Sequence, residues 1–315
     1  MKATVVKHTG SHYLLTRLPG WDLFPAVLRG RIRLKGSSAT NPVAVGDLVE
    51  FEAENPCSES SPAVITGIMP RRNYIIRRST NLSRQAHVIA ANVDRAFIIV
   101  TLDYPEVKLP FLDRLLVTCE VYGVPVTIVL NKVDLYRESH AGMLAAFHEI
   151  YEGAGYEVLE LSAMTGEGVD GLRERIAGER DGEGVCLFSG VSGVGKSSLI
   201  KAIDPSLEPR TGEISDVHLQ GKHTTTFYEM YKVGSGGFII DTPGIRGFGL
   251  VDLEKEEIAK YFPEMLRVAQ DCRFTPCTHT HEPHCAVKEA VENGIISCDR
   301  YSSYLGMLDE ETKYR

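Results

Sequence analysis

Two stretches of this chain pair residue types suited to holding a polyphosphate. Gly190-Val191-Ser192-Gly193-Val194-Gly195-Lys196-Ser197, followed by Ser198, has the spacing of a phosphate loop. Its glycines allow backbone N–H groups to curl around phosphate oxygens, Lys196 would neutralise the β and γ phosphates, and the Ser197 hydroxyl would ligate Mg²⁺. Asp241-Thr242-Pro243-Gly244 follows the apolar run Gly237 to Ile240. Its carboxylate would stand at the end of a strand and hold magnesium through water, while the Gly244 N–H would meet a γ phosphate. Either fragment alone also reads as an ordinary turn, and only the pairing makes the chemistry persuasive.

Two further stretches select a base. Asn131-Lys132-Val133-Asp134 ends the apolar run Val124 to Leu130. The Asp134 carboxylate suits the paired N–H donors of guanine, whereas adenine would leave it desolvated and unmatched. The Lys132 stem would lie over the base plane, and Asn131 would tie this loop to the phosphate loop. Ser162-Ala163 follows the run Glu157 to Leu161 and would offer backbone N–H to guanine O6. The base-reading loops thus precede the phosphate loop in the chain, whereas the phosphate loop comes first in ordinary GTPases. A permuted version of one parallel sheet explains this order.

A third chemistry lies further on. Cys272, Cys277 and Cys285 crowd into fourteen residues with His279, His281 and His284 among them, which supplies soft ligands for a metal. Four other cysteines, Cys57, Cys119, Cys186 and Cys298, show no such spacing. An odd total of 7 does not suit a secreted disulfide scaffold.

The elements that must position these residues follow from patterning. A chain of 315 residues with 43% hydrophobic content is sized for two or three compact units. Residues 1–70 contain five short strand patterns, Thr4 to Lys7, Tyr13 to Arg17, Ala26 to Leu34, Asp47 to Glu54 and Ala63 to Met69, and predict a small barrel. Arg29, Arg31, Arg33 and Lys35 share one face at the strand period, an arrangement that suits an RNA backbone and equally any solvated barrel face. The basic stretch Arg71 to Arg78 is expected to extend that positive surface.

Beyond it, apolar runs at 95–100, 124–130, 157–161, 185–188 and 237–240 alternate with helical patterns at 111–121, 141–151, 169–176 and 196–202, which predicts a parallel α/β sheet. Residues 226–233 predict an edge strand. The tail reads as helical at 253–262, 286–292 and 298–308, too short for a large core without metal. The net charge of -8 divides into +5 over residues 1–78, -8 over 79–250 and -5 over 251–315. A basic first unit remains compatible with nucleic acid despite the acidic total. No apolar run approaches the ~20 residues of a membrane span, and no export signal is visible at the start.

On these motifs together, with Leu161-Ser162-Ala163 and Gly221-Lys222-His223-Thr224-Thr225-Thr226, the chain resembles the ribosome small-subunit-dependent GTPase A family over essentially its whole length. The resemblance implies an α/β P-loop GTPase domain, circularly permuted, over 71–250. An N-terminal OB-type β-barrel over 1–70 and a C-terminal helical zinc-binding domain over 251–315 would flank it. It implies a late-maturation factor that binds the 30S ribosomal subunit and 16S rRNA, with GTP hydrolysis stimulated by the subunit; the cysteine usage points to a reducing cytoplasm, and a monomer with no membrane partner is expected. The resemblance also favours His279 as the fourth ligand beside Cys272, Cys277 and Cys285 of one structural Zn²⁺.

The residue after Gly244 is Ile245, which cannot orient water as a glutamine would. His223 is the candidate to do so, a role that the resemblance supports, and Thr225 is the choice among three threonines for Mg²⁺, beside Ser197 and Asp241. The segment 245–249 leads into the metal-binding tail, so GTP is expected to set the angle between those two domains. A zinc-stabilised RNA-binding scaffold without turnover is the runner-up. An ATPase or kinase is opposed by Asn131 to Asp134.

Overall fold

The computed structural model describes residues 1–9, 12–28, 42–53, 57–78, 86–209, 228–242 and 253–313. The chain opens with β1 (Lys2–Thr9), β2 (His12–Thr16), β3 (Phe24–Leu28), β4 (Leu48–Glu52) and β5 (Ala63–Ile68). Pairing runs β1-β2-β3-β5-β4 and returns from β4 to β1, with only β3–β5 parallel. The five strands therefore close on themselves in the manner of an OB-type barrel. Alternation along each strand puts Val5, Leu15, Val49, Phe51 and Ile65 inside.

A hairpin of β6 (Tyr74–Arg78) and β7 (Ala86–Ala91) follows. The basic stretch ahead of it does not simply extend a positive face. Arg71 is half-buried against the buried Asp47, Nε to Oδ1 at 2.7 Å, and Arg72 reaches Asp94 at 2.7 Å. These two cations are taken up by intrachain partners because the turn places them over carboxylates that burial would otherwise leave uncompensated.

The α/β unit comprises β8 (Arg95–Val100), α1 (Leu109–Val121), β9 (Val126–Leu130), α2 (Val133–Tyr136), α3 (Ala141–Ala154), β10 (Glu157–Glu160), α4 (Val169–Gly178), β11 (Val185–Ser189), α5 (Lys196–Ile203), β12 (Glu229–Lys232) and β13 (Phe238–Asp241). The sheet order is β10-β9-β8-β11-β13-β12, parallel except for the edge strand β12. Buried parallel strands need two apolar faces, and β8 supplies them by alternation. Ala96, Ile98 and Val100 join α1 and α3 in one core, whereas Phe97 and Ile99 join α4 and α5 in the other. The strand carrying the phosphate loop, β11, lies between β8 and β13, so the chain visits the centre of the sheet late. That is the permuted topology which the order of motifs predicts.

The tail holds α6 (Lys255–Ile258), α7 (Pro263–Ala269), α8 (Ala286–Glu292) and α9 (Cys298–Lys313). The helical pattern at 253–262 is realised as α6 plus a short 3-10 turn, Ala259–Tyr261. Pro263 begins α7 with its own register, which explains the break. The barrel joins the main sheet at its edge, where β1 pairs with β12 through Lys7 and Glu229.

Candidate nucleotide site and metal centre

Four loops leave the same edge of the parallel sheet, after β9, β10, β11 and β13. Gly190 ends the strand β11 so tightly that a Cβ there would lie 2.5 Å from the Ile99 carbonyl oxygen. The turn closes at Gly195, whose φ of +89° is left-handed and whose added Cβ would meet Asn131 Nδ2 at 2.5 Å. Glycine is thus required for backbone shape and for close approach of the neighbouring loop. Val191, Ser192, Gly193 and Val194 form the turn, with Ser192 and Gly193 exposed and the Val194 side chain anchoring it in the core. Lys196, Ser197 and Ser198 begin α5, whose first N–H groups are free for an anion.

The loop after β9, which carries Asn131 to Asp134, is pinned to this turn by side chains. Asn131 is buried; its Nδ2 donates to Val194 O at 2.8 Å and its Oδ1 accepts from Ala163 N at 3.1 Å. Lys132 takes a left-handed φ of +66°, unfavourable for a residue with a Cβ by about 1–3 kcal/mol. Its ammonium is held at that position by Gly193 O at 2.7 Å and Tyr104 O at 2.5 Å. The strained backbone lays the lysine stem across the phosphate loop. Val133 is buried beneath it and Asp134 stands exposed in the first turn of α2.

Ser162 is buried and braces its own loop, its Oγ accepting from Met164 N and Thr165 N at 3.3 and 3.1 Å. The N–H groups of Ser162 and Ala163, read as donors to guanine, are engaged by Glu167 O and Asn131 Oδ1. On the other side of β11, Asp241 faces Lys196, Oδ1 to Nζ at 2.8 Å, and both are buried. The ammonium that would meet phosphates and the carboxylate that would meet magnesium water therefore lie together. Thr242 anchors the start of the next segment by donating through Oγ1 to Phe188 O at 2.8 Å.

Gly244, His223, Thr224, Thr225, Thr226, Arg29, Arg31, Arg33 and Lys35 lie outside the described residues. One contributor was not read from sequence. The loop between β8 and α1 supplies the Tyr104 carbonyl to Lys132, and Pro105 lies 3.4 Å from a Cβ built on Gly193. No residue type announces it, because the contact to Lys132 is made by a main-chain carbonyl.

The second centre is in the tail. Cys272, Cys277, His279 and Cys285 bring one ligand atom each within 4.8 Å of one another, so the cluster could hold a metal ion. Cys272 Sγ lies 3.6 Å from His279 Nδ1 and 3.9 Å from Cys285 Sγ, and His279 Nδ1 lies 3.3 Å from Cys285 Sγ. Burial, reinforced by Cys285 and Cys272, pushes the Cys277 thiol up to about 12. A bound cation reverses that preference, which is why three thiols packed together fit a metal. Burial also holds His279 below the usual imidazole range, in the neutral form a ligand needs. Tyr301 and Tyr304 brace the loop by donating to His279 O and Thr278 O, each at 2.6 Å. Glu282 accepts from Thr278 N at 2.7 Å and Thr280 N at 3.0 Å. His281 and His284 are exposed and belong to no such cluster among the described residues.

Comparison with known proteins agrees with this geometry. The family model described as RsgA GTPase matches residues 68–251. The small ribosomal subunit biogenesis GTPase RsgA 2 of Bacteroides thetaiotaomicron is 49% identical over 317 aligned residues, covering 100% of this chain and 99% of that one. The small ribosomal subunit biogenesis GTPase RsgA of Bacteroides fragilis is 50% identical with the same coverage. The crystal structure of YjeQ from Thermotoga maritima superposes with a TM-score of 0.77 at 33% identity over 98% of this chain and 97% of that one. YloQ, a circularly permuted GTPase, superposes with a TM-score of 0.72 at 26% identity, covering 100% and 96%. With its loops tied together at one sheet edge and likeness running from end to end, the chain belongs to the RsgA GTPase family, a family of GTP-hydrolysing enzymes.

Proposed function

We propose that this protein is a cytoplasmic, monomeric GTPase that binds the small (30S) ribosomal subunit during its late maturation and hydrolyses GTP in response to it. The observation that carries this reading is the double tie of Asn131 and Lys132 to the Val194 and Gly193 carbonyls, which joins base selection and phosphate binding into one cleft. The names of the two Bacteroides relatives support the ribosomal part. No described helix is long and apolar enough to cross a membrane. The working boundaries are 1–70 for the barrel, 71–250 for the GTPase domain and 251–315 for the metal-binding domain.

In this reading Asp134 selects guanine, Lys132 covers the base, and the Ala163 N–H is shared between Asn131 Oδ1 and guanine O6. The N–H groups from Gly190 to Ser198 cradle the phosphates, with Lys196 released from Asp241 to meet them. Mg²⁺, held by Ser197, Thr225 and, through water, Asp241, would spread the charge developing on the phosphates. The Gly244 N–H meets the γ phosphate, and His223 orients the attacking water in the place of a glutamine. Arg29, Arg31, Arg33 and Lys35 contact the backbone of 16S rRNA. The metal is zinc. Metal–sulfur and metal–nitrogen bonds of about 2.3 and 2.05 Å at tetrahedral angles put sulfur atoms about 3.8 Å apart and sulfur about 3.6 Å from nitrogen. The spacings of 3.9, 3.6 and 3.3 Å in the cluster support that assignment. Four ligands leave no open position, so the zinc is structural.

The deciding measurement is GTP hydrolysis against small-subunit concentration, for the unaltered protein and for His223→Ala. Stimulation that His223→Ala lowers by about 100-fold or more at unchanged GDP affinity fits the reading. No stimulation by subunits defeats it, and absent turnover with intact binding would favour the scaffold.

A further inference from the structure

The most deeply buried cation among the described residues is not in the nucleotide site. Arg300, on α9, has a side chain 1% exposed and lies between two acids from different parts of the molecule. Its Nη1 donates to Asp113 Oδ1 of α1 at 2.7 Å. Its Nε and Nη2 donate to Glu264 Oε1 and Oε2 of α7 at 2.7 and 3.1 Å, a two-pronged pair. Tyr151 of α3 donates to the same Asp113 oxygen at 3.0 Å. The guanidinium faces the Phe262 ring at 4.6 Å, with Tyr151 and Tyr156 at 5.8 and 5.7 Å. Two carboxylates and three rings thus enclose one guanidinium where the metal-bearing tail meets the GTPase unit.

Two independent contacts surround this cluster. Val117 of α1 is buried in the same apolar core as Ile258, Phe262, Met265, Ile296 and Tyr304 of the tail. Arg267 of α7 donates to the carbonyls of Ala154 and Gly153 at the end of α3, at 3.1 and 2.8 Å. The metal loop itself hangs on α9 through Tyr301 and Tyr304. One helix therefore carries both the brace of the metal centre and the ionic link to α1.

We infer that Arg300 bolts the metal-bearing tail to α1 and α3, so that the tail and the GTPase sheet travel as one rigid body through the nucleotide cycle. A hinge at this junction would draw Arg300 away from Asp113 and leave two desolvated charges without partners, while also opening the apolar core around Val117. This replaces the expectation that GTP sets the angle of the tail. A partner that touches the metal module then meets a surface held in a constant position relative to the nucleotide site. Arg300 is a positioning residue, not a catalytic one.

The test uses the full-length protein with spin labels on non-cysteine anchors at the exposed positions Ser302 of α9 and Glu174 of α4. Pulsed dipolar spectroscopy is recorded with GDP and with a non-hydrolysable GTP analogue. The expected result is one narrow distance distribution whose mean differs by less than ~2 Å between the two nucleotides. A shift above ~5 Å, or a second population with one nucleotide, overturns the inference. Arg300→Met should broaden the distribution at unchanged metal content, and a distribution as narrow as the unaltered one would show that Arg300 is no bolt. Should Arg300→Met fail to fold, Glu264→Gln keeps the Asp113 contact and weakens only the second, and it must broaden the same distribution. These measurements need no ribosome, so their outcome is separate from that of the proposed function.

Discussion

The barrel and the metal-bearing tail flank the same sheet but are held to it by different physics. The barrel has a closed core of its own, and its described contacts with the sheet include the β1–β12 register at Lys7 and Glu229 and a stack of Trp21 on Phe238. Its strands exchange main-chain hydrogen bonds around a full circuit, so its pairing is completed within the module. Among the described residues the tail has no core apart from the one it shares with Val117 of α1, and it encloses a charge cluster and a group of thiols that could hold a metal. One flanking module closes a core of its own and lends Val6 and Val45 to the core of the sheet; the other shares its described core with α1 and carries a cluster that could hold a metal. The comparison teaches that a β module can close its main-chain pairing internally, whereas a short helical one relies on side-chain packing and charge pairing across its boundary.

The largest expected effect separates the two modules by their need for metal. Treatment with a chelator, or Cys272→Ser, should raise amide exchange in 286–313 by roughly four orders of magnitude or more while leaving β1 to β5 unchanged. Equal loosening of both modules would end the distinction. Next comes the ionic junction: Glu264→Ala leaves Arg300 with one acid and should lower the unfolding free energy by about 3–5 kcal/mol in chemical denaturation. The corresponding break at the barrel is smaller. Lys7→Ala removes a half-exposed pair with Glu229 and should cost about 0.2–1 kcal/mol, seen as faster exchange in β1 and β12 alone.

The smallest effect is one of pH. Burial holds His8 of β1 below the ordinary imidazole range, so the unfolded chain takes up its proton first as pH falls through about 6.5. Stability contributed by this strand should therefore be full above that value and decline below it, until the folded histidine is itself protonated. Denaturation midpoints between pH 7.5 and 5 should show the decline, and His8→Gln should flatten it. A rise in stability on acidification would reverse the sign and refute the account.

Much of the candidate site was legible because its parts are local. A glycine-rich turn, an Asn-Lys-x-Asp loop and an aspartate at a strand end each carry their chemistry within a few residues, and apolar runs announce the strands beneath them. The cluster of Cys272, Cys277, His279 and Cys285 was legible for the same reason. The tie of Lys132 to Tyr104 was not, because a backbone carbonyl has no residue type to mark it. The engagement of Ala163 N–H by Asn131 was hidden likewise, since the two stand thirty-two positions apart in the chain. Nor did the pattern show that Arg71 and Arg72 would be taken up by Asp47 and Asp94 rather than left on a positive surface.

The amino-acid order by itself determined the inventory: which loops have the spacing of a phosphate loop and of an Asn-Lys-x-Asp turn, which cysteines and histidine form a cluster that could hold a metal, and that the sheet is entered at a permuted point. Only the tertiary structure decided how the modules are joined, with Arg300 meeting an aspartate 187 positions earlier in the chain and β1 pairing with a strand more than two hundred residues away. The reason is physical. Local motifs depend on spacing along the backbone, whereas a buried charge is satisfied by whatever partner the packed elements bring within hydrogen-bond reach, and that distance exists only after the chain has folded.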